Sequence, residues 1–404
     1  MTPPPTGLLA GVHVLDLTNV LAGPFCTYQL ALQGAEVLKV EMPVTGDLAR
    51  QLGADPELNR RGTGSSFLAQ NAGKRSITLN LKDERGREIL GDLVGDADVL
   101  VENFRPGVLA SLGFGWEELR DRNPALVYCA ISGFGSDGPM AGRPAYDQIV
   151  QGLAGVMDAT GYPDGGPTRV GFPVCDTLGG MTAAFAISSA LVRRAATGEG
   201  AHLDVSMLDS AVTGLGWAAS NWLVGHQEPR RMGNDNFTAS PSGAFETADG
   251  LLNIAANQQG QYVALCHAVG RPDLVTDARF ADRAARLVNR SALNAELAGA
   301  LAARPADEWE AVLNPLGVPA ARVLSIPEVV ELDQVAHRRL IAEVGTVPGT
   351  DVPLRVVTSG FHVDGRPACP TTAPPSLGAD ADAVLAGIGR SAADVAVLRA
   401  EGVL

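Results

Sequence analysis

The stretch VHVLDLTNVLAGPFCTYQLALQGAEVLKVE, residues 12–41, decides the fold class. It opens with a run of β-branched and apolar residues over 12–17, continues with a helix-like segment over 23–34, and returns to a second such run over 35–41. Strand, helix and strand at this spacing predict a parallel sheet with helices on its faces. Ligands of such sheets bind at the carboxyl ends of the strands.

The same alternation continues outward along the chain. Strand-like runs follow at RSITLNL (75–81), DVLVENF (98–104) and LVYCAISGFG (126–135), and a helical segment lies over 82–97. The chain becomes polar and loop-like over 225–247, and a smaller domain is expected after it, with an amphipathic segment over 291–313. Short strand-like runs return after about residue 335.

Composition excludes several classes of protein. The 404 residues suffice for two domains, and the net charge of −14, from 31 basic and 45 acidic residues, argues against binding to nucleic acid or anionic membranes. The five cysteines form no C-x-x-C pair and the histidines form no zinc pattern, which favours reduced thiols and no metal site. The N-terminus lacks a signal-peptide pattern, and the longest apolar run, 178–192, is shorter than a membrane span. We therefore expect a soluble, cytoplasmic protein.

A lone acidic residue, Asp176, lies in GFPVCDTLGGMTAAF, residues 171–185. The pattern predicts a helix that starts after Asp176 and stops at Gly198, which makes Asp176 its N-cap. The positive end of that helix would also keep the carboxylate ionised at neutral pH, ready to act as a nucleophile. The surrounding sequence does not decide between the structural role of N-cap and the catalytic role of nucleophile. The Gly179-Gly180 pair indicates that another element packs closely against the first turn.

Two further features lie beside predicted strand ends. The connection TNVLAGP (18–24) resembles a ligand-holding loop, although it lacks the G-x-G-x-x-G pattern of dinucleotide sites and also fits an ordinary connection. Lys39, Lys74, Arg75 and Arg105 each lie next to a strand end or turn. Together they would suit a phosphorylated ligand, and singly each fits a solvated charge.

The chain as a whole resembles the family III CoA-transferases. The resemblance is carried by residues 8–41, NAGKRSITLNL (71–81), ADVLVENFRPGVLASLGF (97–114), YDQIVQGLAGVM (146–157), FPVCDTLGGMTAAFAISSAL (172–191) and the C-terminal 374–404. It implies a Rossmann-like large domain formed by 1–225 and 336–404, a smaller α+β domain over 226–335, and a homodimer of two interlocked rings. Coenzyme A and acyl-CoA are then substrates, a carboxylic acid is the acceptor, and no cofactor is bound permanently.

The resemblance also assigns roles to residues. Asp176 matches the aspartate that attacks the acyl-CoA thioester and forms a covalent intermediate. The positions that contact CoA match Val20 and Ala22 in the first loop, Lys74 and Arg75, and Asn103, Phe104 and Arg105 after the fourth strand.

Departures from relatives bear on the substrate. Leu21 stands where formyl-CoA transferases have Gln, Tyr146-Asp147 stands where they have Tyr-Glu, and FTASPSG (237–243) replaces their glycine-rich loop. These differences argue against formyl-CoA and oxalate, and Leu21 favours a larger or less polar acyl group. The racemases of the family use a histidine where this chain has Tyr146, which is a poor base at neutral pH. Transferase is therefore favoured over racemase, and a catalytically silent CoA-binding protein is a third hypothesis.

Overall fold

The computed structural model describes residues 7–404, which form two compact units. The first unit runs through Val156 and includes Arg169–Gln227 and Asp333–Leu404. The second consists of Met157–Thr168 and Glu228–Leu332. Met157–Thr168, which the domain prediction placed in the large domain, thus belongs to the second unit.

A six-stranded parallel sheet forms the centre of the first unit. Its strands are β1 (His13–Leu17), β2 (Glu36–Glu41), β3 (Arg75–Thr78), β4 (Val99–Glu102), β5 (Val127–Ser132) and β6 (Ala201–Ser206). Their order across the sheet is β3-β2-β1-β4-β5-β6, and every neighbouring pair is parallel. The predicted α/β class with a parallel sheet is confirmed. The order reverses between β1 and β4, which is where ligands bind on open α/β sheets.

Helices cover this sheet and connect its strands. Up to residue 225 the helices of this unit are α1 (Ala22–Leu32), α2 (Pro56–Arg60), α3 (Ser65–Leu68), α4 (Glu84–Gly95), α5 (Val108–Ser111), α6 (Trp116–Arg122), α7 (Asp147–Leu153), α9 (Val174–Thr197), α10 (Met207–Gly214) and α11 (Gly216–Gly225), with a 3₁₀ turn over Leu48–Gln51. The short helix α8 (Val156–Ala159) lies mostly in the second unit.

The second unit is built on an antiparallel sheet of β7 (Ser242–Glu246), β8 (Leu251–Ala255) and β9 (Ala320–Arg322). Its helices are α12 (Gln259–Ala268), α13 (Asp273–Thr276), α14 (Arg283–Val288), α15 (Arg290–Leu301), α16 (Ala306–Leu313) and α17 (Ile326–Val330), with a 3₁₀ turn over Asn314–Leu316. The amphipathic segment 291–313 contains a break between α15 and α16, because Pro305 takes an extended conformation and starts a new helix.

The C-terminal part returns to the first unit. It contains α18 (Asp333–His337), two antiparallel pairs made by β10 (Ile341–Thr346) with β11 (Pro353–Val357) and by β12 (His362–Val363) with β13 (Arg366–Pro367), and then α19 (Ala381–Gly387) and α20 (Ala392–Ala400). Leu385 and Leu398 of the last two helices join a core cluster that includes Leu15 and Ile77 of the parallel sheet.

Within residues 7–404, one helix, α9, is long and apolar enough to cross a membrane. Its 24 residues extend beyond the apolar run 178–192 on both sides. However, Ala183 and Ile187 on one side of α9 are fully buried in a core cluster with Cys26 of α1 and Cys129 of β5. This is the packing of a core helix.

Candidate active site

Asp176 lies inside the first turn of α9 and does not cap it. The helix begins at Val174, and the N–H groups of Cys175 and Asp176 donate to Oδ1 of Asp147, at 2.8 and 3.3 Å. The prediction that Asp176 is the N-cap is therefore wrong, because a carboxylate at the start of α7 satisfies the free N–H groups of this helix end. The Asp176 carboxylate itself accepts no hydrogen bond from any residue in 7–404, so its oxygens are free for chemistry.

The surroundings of Asp176 change its acidity. Burial, together with the nearby Asp147 carboxylate, raises the pKa of Asp176 to about 7. The expectation that this group stays ionised at neutral pH is thus wrong, since burial and the like charge of Asp147 favour its protonated form. A carboxylate of raised pKa is more basic than an ordinary one. A strongly perturbed titratable group marks a candidate functional site.

Asp147 is held in place by its own neighbours. Its carboxylate is buried, and Oδ2 accepts a hydrogen bond of 2.6 Å from Nε2 of Gln151, whose Oε1 accepts the N–H of Val170 at 2.9 Å. Nη2 of Arg169 lies 3.9 Å from the same Oδ2. The adjacent Tyr146, also predicted to be a site residue, is exposed. Asp147 is therefore fixed as the cap of α9, with one cation close by.

The close packing predicted from Gly179-Gly180 is confirmed. A Cβ at Gly180 would lie 2.4 Å from the carbonyl oxygen of Ala22, and one at Gly179 would lie 3.1 Å from Cγ of Met207. Gly180 thus allows the first turn of α1 to touch the second turn of α9. Since Asp176 lies about one helical turn, roughly 6 Å, before Gly180, the contact brings Ala22 into the neighbourhood of Asp176.

The loop between β1 and α1 is joined to the end of β4. The N–H of Asn19 donates to Oδ1 of Asn103 at 2.8 Å, and Nδ2 of Asn103 donates back to the carbonyl of Asn19 at 2.8 Å. Val20 follows with a φ of +69°, and its N–H donates to Oδ1 of Asp47 at 2.9 Å. The structure therefore brings the predicted loop 20–22 together with Asn103, at the point where the strand order reverses.

A cavity of about 280 Å³ opens beside this loop, over the carboxyl ends of β1 to β4. Its lining includes the apolar side chains of Leu17, Leu79, Phe104, Val108 and Leu112. Lys82 also lines it, and Arg105 follows Phe104; both are exposed, and neither forms an ion pair with an acidic side chain of residues 7–404. Sequence analysis missed Lys82, although its position just after the strand-like run 75–81 was the available signal.

Lys74 and Arg75 do not belong to this cavity, which corrects their predicted role. Nζ of Lys74 is buried and lies within 3.0 Å of four acceptors. These are the side chains of Asp16, Thr27 and Asn71 and the carbonyl of Pro24. Arg75 is the first residue of β3, so it lies at the opposite end of that strand from the cavity, and it pairs with Asp380 at 3.5 Å. Lys74 and Arg75 lie at the amino end of β3, whereas the cavity lies at the carboxyl ends of the strands.

Lys39 is likewise internal. Its side chain is fully buried, with Nζ 2.8 Å from the carbonyl of Thr18 and 2.9 Å from Oδ2 of Asp47. Burial would raise the pKa of nearby Asp16, but the ammonium groups of Lys39 and Lys74 and two hydroxyl hydrogen bonds hold it well below its usual range. The two buried lysines therefore neutralise internal carboxylates and do not face a phosphorylated ligand.

Glu102 is a second residue that sequence analysis missed. It ends β4, is buried, and accepts the N–H of Phe104 at 2.6 Å and the hydroxyl of Tyr128 at 3.0 Å. Burial raises its pKa to about 7. Through the Phe104 N–H it fixes the loop that carries Asn103, Phe104 and Arg105. No group of three or more potential metal ligands occurs among residues 7–404.

Comparison with known proteins places this arrangement in a family. The sequence model of CoA-transferase family III matches residues 9–381, and the chain belongs to that family. It is therefore a transferase enzyme, as the sequence resemblance implied.

Individual relatives agree with this assignment. The chain is 43% identical over 368 residues to an acetyl-CoA:oxalate CoA-transferase of Acetobacter aceti, covering 91% of this chain and 93% of the relative. It is 38% identical over 347 residues to a succinyl-CoA:glutarate CoA-transferase of Mus musculus, covering 85% and 79%. The crystal structure of a CaiB/BaiF family protein from Brucella suis superposes with a TM-score of 0.84 at 35% identity, covering 95% of this chain and 99% of that one.

Proposed function

We propose that this protein is an acyl-CoA:carboxylate CoA-transferase in which Asp176 is the covalent nucleophile. The observation that carries the proposal is the state of this carboxylate. It is partly buried in the first turn of α9, accepts no hydrogen bond from residues 7–404, and has a pKa raised to about 7. It also lies near the loop of residues 20–22, at the edge of the sheet where ligands bind.

The reaction follows from four exchanges at acyl carbons. A carboxylate oxygen of Asp176 attacks the thioester carbonyl of the donor, and the CoA thiolate leaves, which gives a mixed anhydride. The thiolate attacks the aspartyl carbonyl, which forms an aspartyl-CoA thioester and releases the donor acid as its carboxylate. The acceptor carboxylate then attacks the carbonyl of that thioester, which expels the CoA thiolate and gives a second mixed anhydride. The thiolate attacks the acceptor's acyl carbon of this anhydride and releases the Asp176 carboxylate. Product acyl-CoA leaves, Asp176 is regenerated, and no proton is gained or lost overall.

Backbone donors are available for the oxyanions of these steps. The N–H groups of Leu21, Ala22 and Gly23, at the start of α1, have no acceptor among the described residues. A side-chain cap is also lacking at this helix end. Such N–H groups at a helix start stabilise developing negative charge on a carbonyl oxygen. The contact between Ala22 and Gly180 joins this helix end to the second turn of α9, about one turn after Asp176.

The cavity beside the loop suits the nucleotide end of CoA. Its apolar lining, Phe104 included, fits a base, and Lys82 and Arg105 provide unpaired positive charge for phosphates. Lys82 replaces Lys74 and Arg75 among the residues proposed to contact CoA. The other proposed contacts remain Val20, Leu21, Ala22, Asn103, Phe104 and Arg105. The large domain is Rossmann-like in this proposal, which the strand order 3-2-1-4-5-6 supports.

The acceptor is proposed to be a small dicarboxylic acid. Two relatives are named for oxalate and glutarate. The sequence departures argue against oxalate, so oxalate, glutarate and a monocarboxylate such as acetate should be compared directly. Arg169, whose side chain is 48% exposed, lies with Nη2 3.9 Å from Oδ2 of Asp147 and suits an incoming carboxylate.

We also infer a homodimer, with the interlocked rings that the sequence resemblance implies. Two helices of the first unit expose large apolar side chains, Phe185 and Val192 on α9 (each 74%) and Trp217 and Leu223 on α11 (65% and 73%). Exposed apolar area of this kind supports burial against a second copy. A dimer in sedimentation analysis that Phe185→Glu dissociates is the expected result, and a monomeric wild-type protein would exclude the dimer.

The covalent step is tested by mass spectrometry of the intact protein after brief incubation with acetyl-CoA and succinyl-CoA. A CoA-sized adduct that maps to Asp176, or its hydroxamate after trapping with hydroxylamine, is expected. Asp176→Asn should show neither, while the control Asp98→Asn, which removes a carboxylate paired with Arg194 at the far end of α9, should react normally. Full transferase activity in Asp176→Asn would exclude the mechanism.

Racemase chemistry is the second candidate, because a carboxylate of pKa about 7 can also act as a base near neutrality. It needs a second base on the opposite face of the substrate, and Tyr146 occupies the position of the family's histidine. Loss of α-deuterium from a 2-methylacyl-CoA to solvent would support it. CoA binding without adduct or exchange would indicate the silent CoA-binding protein.

A further inference from the structure

Val20 has a strained backbone. Its φ of +69° lies in the left-handed region, which a β-branched residue rarely adopts. Strain of this kind persists where surrounding structure holds the residue in place, and it is concentrated at functional sites. Val20 lies directly before Leu21, the first of the three N–H groups at the start of α1 that lack acceptors.

A buried ion pair holds the loop on both sides of the strained residue. The N–H of Val20 donates to Oδ1 of Asp47 at 2.9 Å, and Oδ2 of Asp47 lies 2.9 Å from Nζ of Lys39. The same Nζ donates to the carbonyl of Thr18 at 2.8 Å. Both charged side chains have an exposure of 0%. The Lys39–Asp47 ion pair thus forms hydrogen bonds with the backbone at two positions of the loop, Thr18 and Val20.

The pair is itself anchored to the turn after β2. Oδ1 of Asp47 also accepts the N–H of Ala49 at 2.8 Å, and the N–H of Asp47 donates to Oε2 of Glu41 at 2.9 Å. The N–H of Leu48 donates to Oδ1 of Asn19 at 2.9 Å, and Asn19 lies between Thr18 and Val20 in the loop. The loop therefore takes its shape from the neighbouring strand, and its own residues do not favour that shape.

We propose that the Lys39–Asp47 pair is a positioning device for the transfer reaction: it holds Val20 in the left-handed conformation so that the N–H groups of Leu21 and Ala22 face the reacting carbonyl. This inference rests on the proposed function and deepens it. Both charged groups act through the backbone of residues 18–20. A buried ion pair often adds little net stability, which leaves room for a role in geometry.

The test is a double-mutant cycle of Asp47→Ala and Val20→Gly. The readouts are the rate of adduct formation on Asp176 at saturating acyl-CoA, the dissociation constant of CoA, and the unfolding temperature. Asp47→Ala should slow adduct formation at least tenfold per folded molecule, with a smaller change in CoA binding, because oxyanion donors act mainly in the transition state. Val20→Gly is also measured by itself, and its own rate is the reference for the double variant, because glycine adopts this φ without strain.

The decisive measurement is rescue. Glycine at position 20 lowers the cost of the left-handed turn, so the double variant should recover at least threefold of the lost rate. The control Asp98→Asn also removes a carboxylate from the first unit, and adding Val20→Gly to it should have only the effect that Val20→Gly has on the wild-type protein, with no rescue. A purely structural ion pair predicts a lower unfolding temperature with a normal rate per folded molecule, and that result, or absence of rescue, overturns the proposal.

If Asp47→Ala does not fold, Asp47→Asn replaces it. It loses the ion pair and keeps an acceptor for the Val20 N–H, so a threefold to tenfold loss that Val20→Gly restores is expected, and a wild-type rate overturns the proposal. The two levels of inference are separable. A wild-type protein that forms no adduct overturns the transferase proposal and this one together, whereas normal adduct formation in both Asp47 variants overturns this one alone.

Discussion

Replacing Asp147 by Asn should shift the pH dependence of the covalent step toward lower pH. The amide oxygen of Asn can still accept the N–H groups of Cys175 and Asp176, so the cap of α9 is kept while the negative charge is removed. Burial and this charge together raise the pKa of Asp176 from 3.8 to about 7. Removal of the charge must lower that pKa, because a carboxylate ionises more easily without a neighbouring anion.

The size of the shift follows from Coulomb's law. Two carboxylates about 6 Å apart repel by roughly 3 kcal/mol at an effective dielectric of 20, a ceiling of about 2 pKa units. Burial is the larger cause of the raised pKa, so we assign about 1 unit to Asp147. At pH 6 the ionised fraction of Asp176 would then increase from about 10% to about 50%, while at pH 8 both proteins would be about 90% ionised or more.

The assay is the rate of adduct formation under single-turnover conditions, measured from pH 5 to pH 9 and expressed as the ratio of the rates at pH 6 and pH 8. The ratio is expected to be about 0.1 in the wild type and about 0.5 in Asp147→Asn, whatever the absolute rates are. Gln151 loses an acceptor in the variant, so the unfolding temperature is recorded as well. Asp98→Asn should keep the wild-type ratio. An unchanged or lower ratio in Asp147→Asn would refute the electrostatic coupling of the two carboxylates.

Three further predictions follow from the same contacts. The raised pKa of Asp176 means that the folded protein binds the proton of this carboxyl group more tightly than the unfolded chain does, so the free energy of unfolding falls as pH rises from about 4 to 7. In denaturant unfolding, Asp176→Asn should be about 1–2 kcal/mol more stable than the wild type at pH 8 and equal to it near pH 4. Gly180→Ala should force α1 and α9 apart, abolish adduct formation and lower the free energy of unfolding by about 2–3 kcal/mol. The control Gly299→Ala on α15, where no atom lies within 4 Å of the added Cβ, should leave the free energy of unfolding unchanged or raise it by up to about 1 kcal/mol. Lys82→Ala should weaken CoA binding about tenfold without a change in unfolding temperature, and an unchanged CoA affinity would show that Lys82 does not contact CoA. Lys74→Met should instead cost about 3–5 kcal/mol of stability, because Asp16 stays buried without one of its cations.

Local chemistry predicted some features of α9 and failed for others. The end of the helix was correctly predicted, because Gly198 takes a left-handed conformation (φ +76°) with Arg194 in the last turn. The start was wrong, because its cap, Asp147, lies 29 residues away from Asp176 in the chain and reaches it only in the folded protein. A helix end capped by a distant residue leaves no mark in the local sequence.

The cations show the same division. Their places beside strands were readable from the pattern of apolar runs, but whether each faces the interior or a ligand depends on the acids around it. Lys74 is buried because Asp16 of β1 lies 2.9 Å away. Asp16 and Lys74 are 58 positions apart, so their ion pair cannot be predicted from local sequence patterns.

This distribution of charge explains how an acidic chain can bind a polyanion. A net charge of −14 repels CoA at long range, so binding requires positive charge that no internal carboxylate cancels. Lys39 and Lys74 are neutralised by Asp16 and Asp47 inside the fold, where they shape the loop that presents the N–H groups of α1. Lys82 and Arg105 lie at the carboxyl ends of β3 and β4 without acidic partners among residues 7–404, and they are the cations that phosphates can use. If this division is correct, the affinity for CoA falls with added salt in the wild type and depends less on salt in Lys82→Ala, while Asp47→Ala keeps the wild-type salt dependence and loses rate instead.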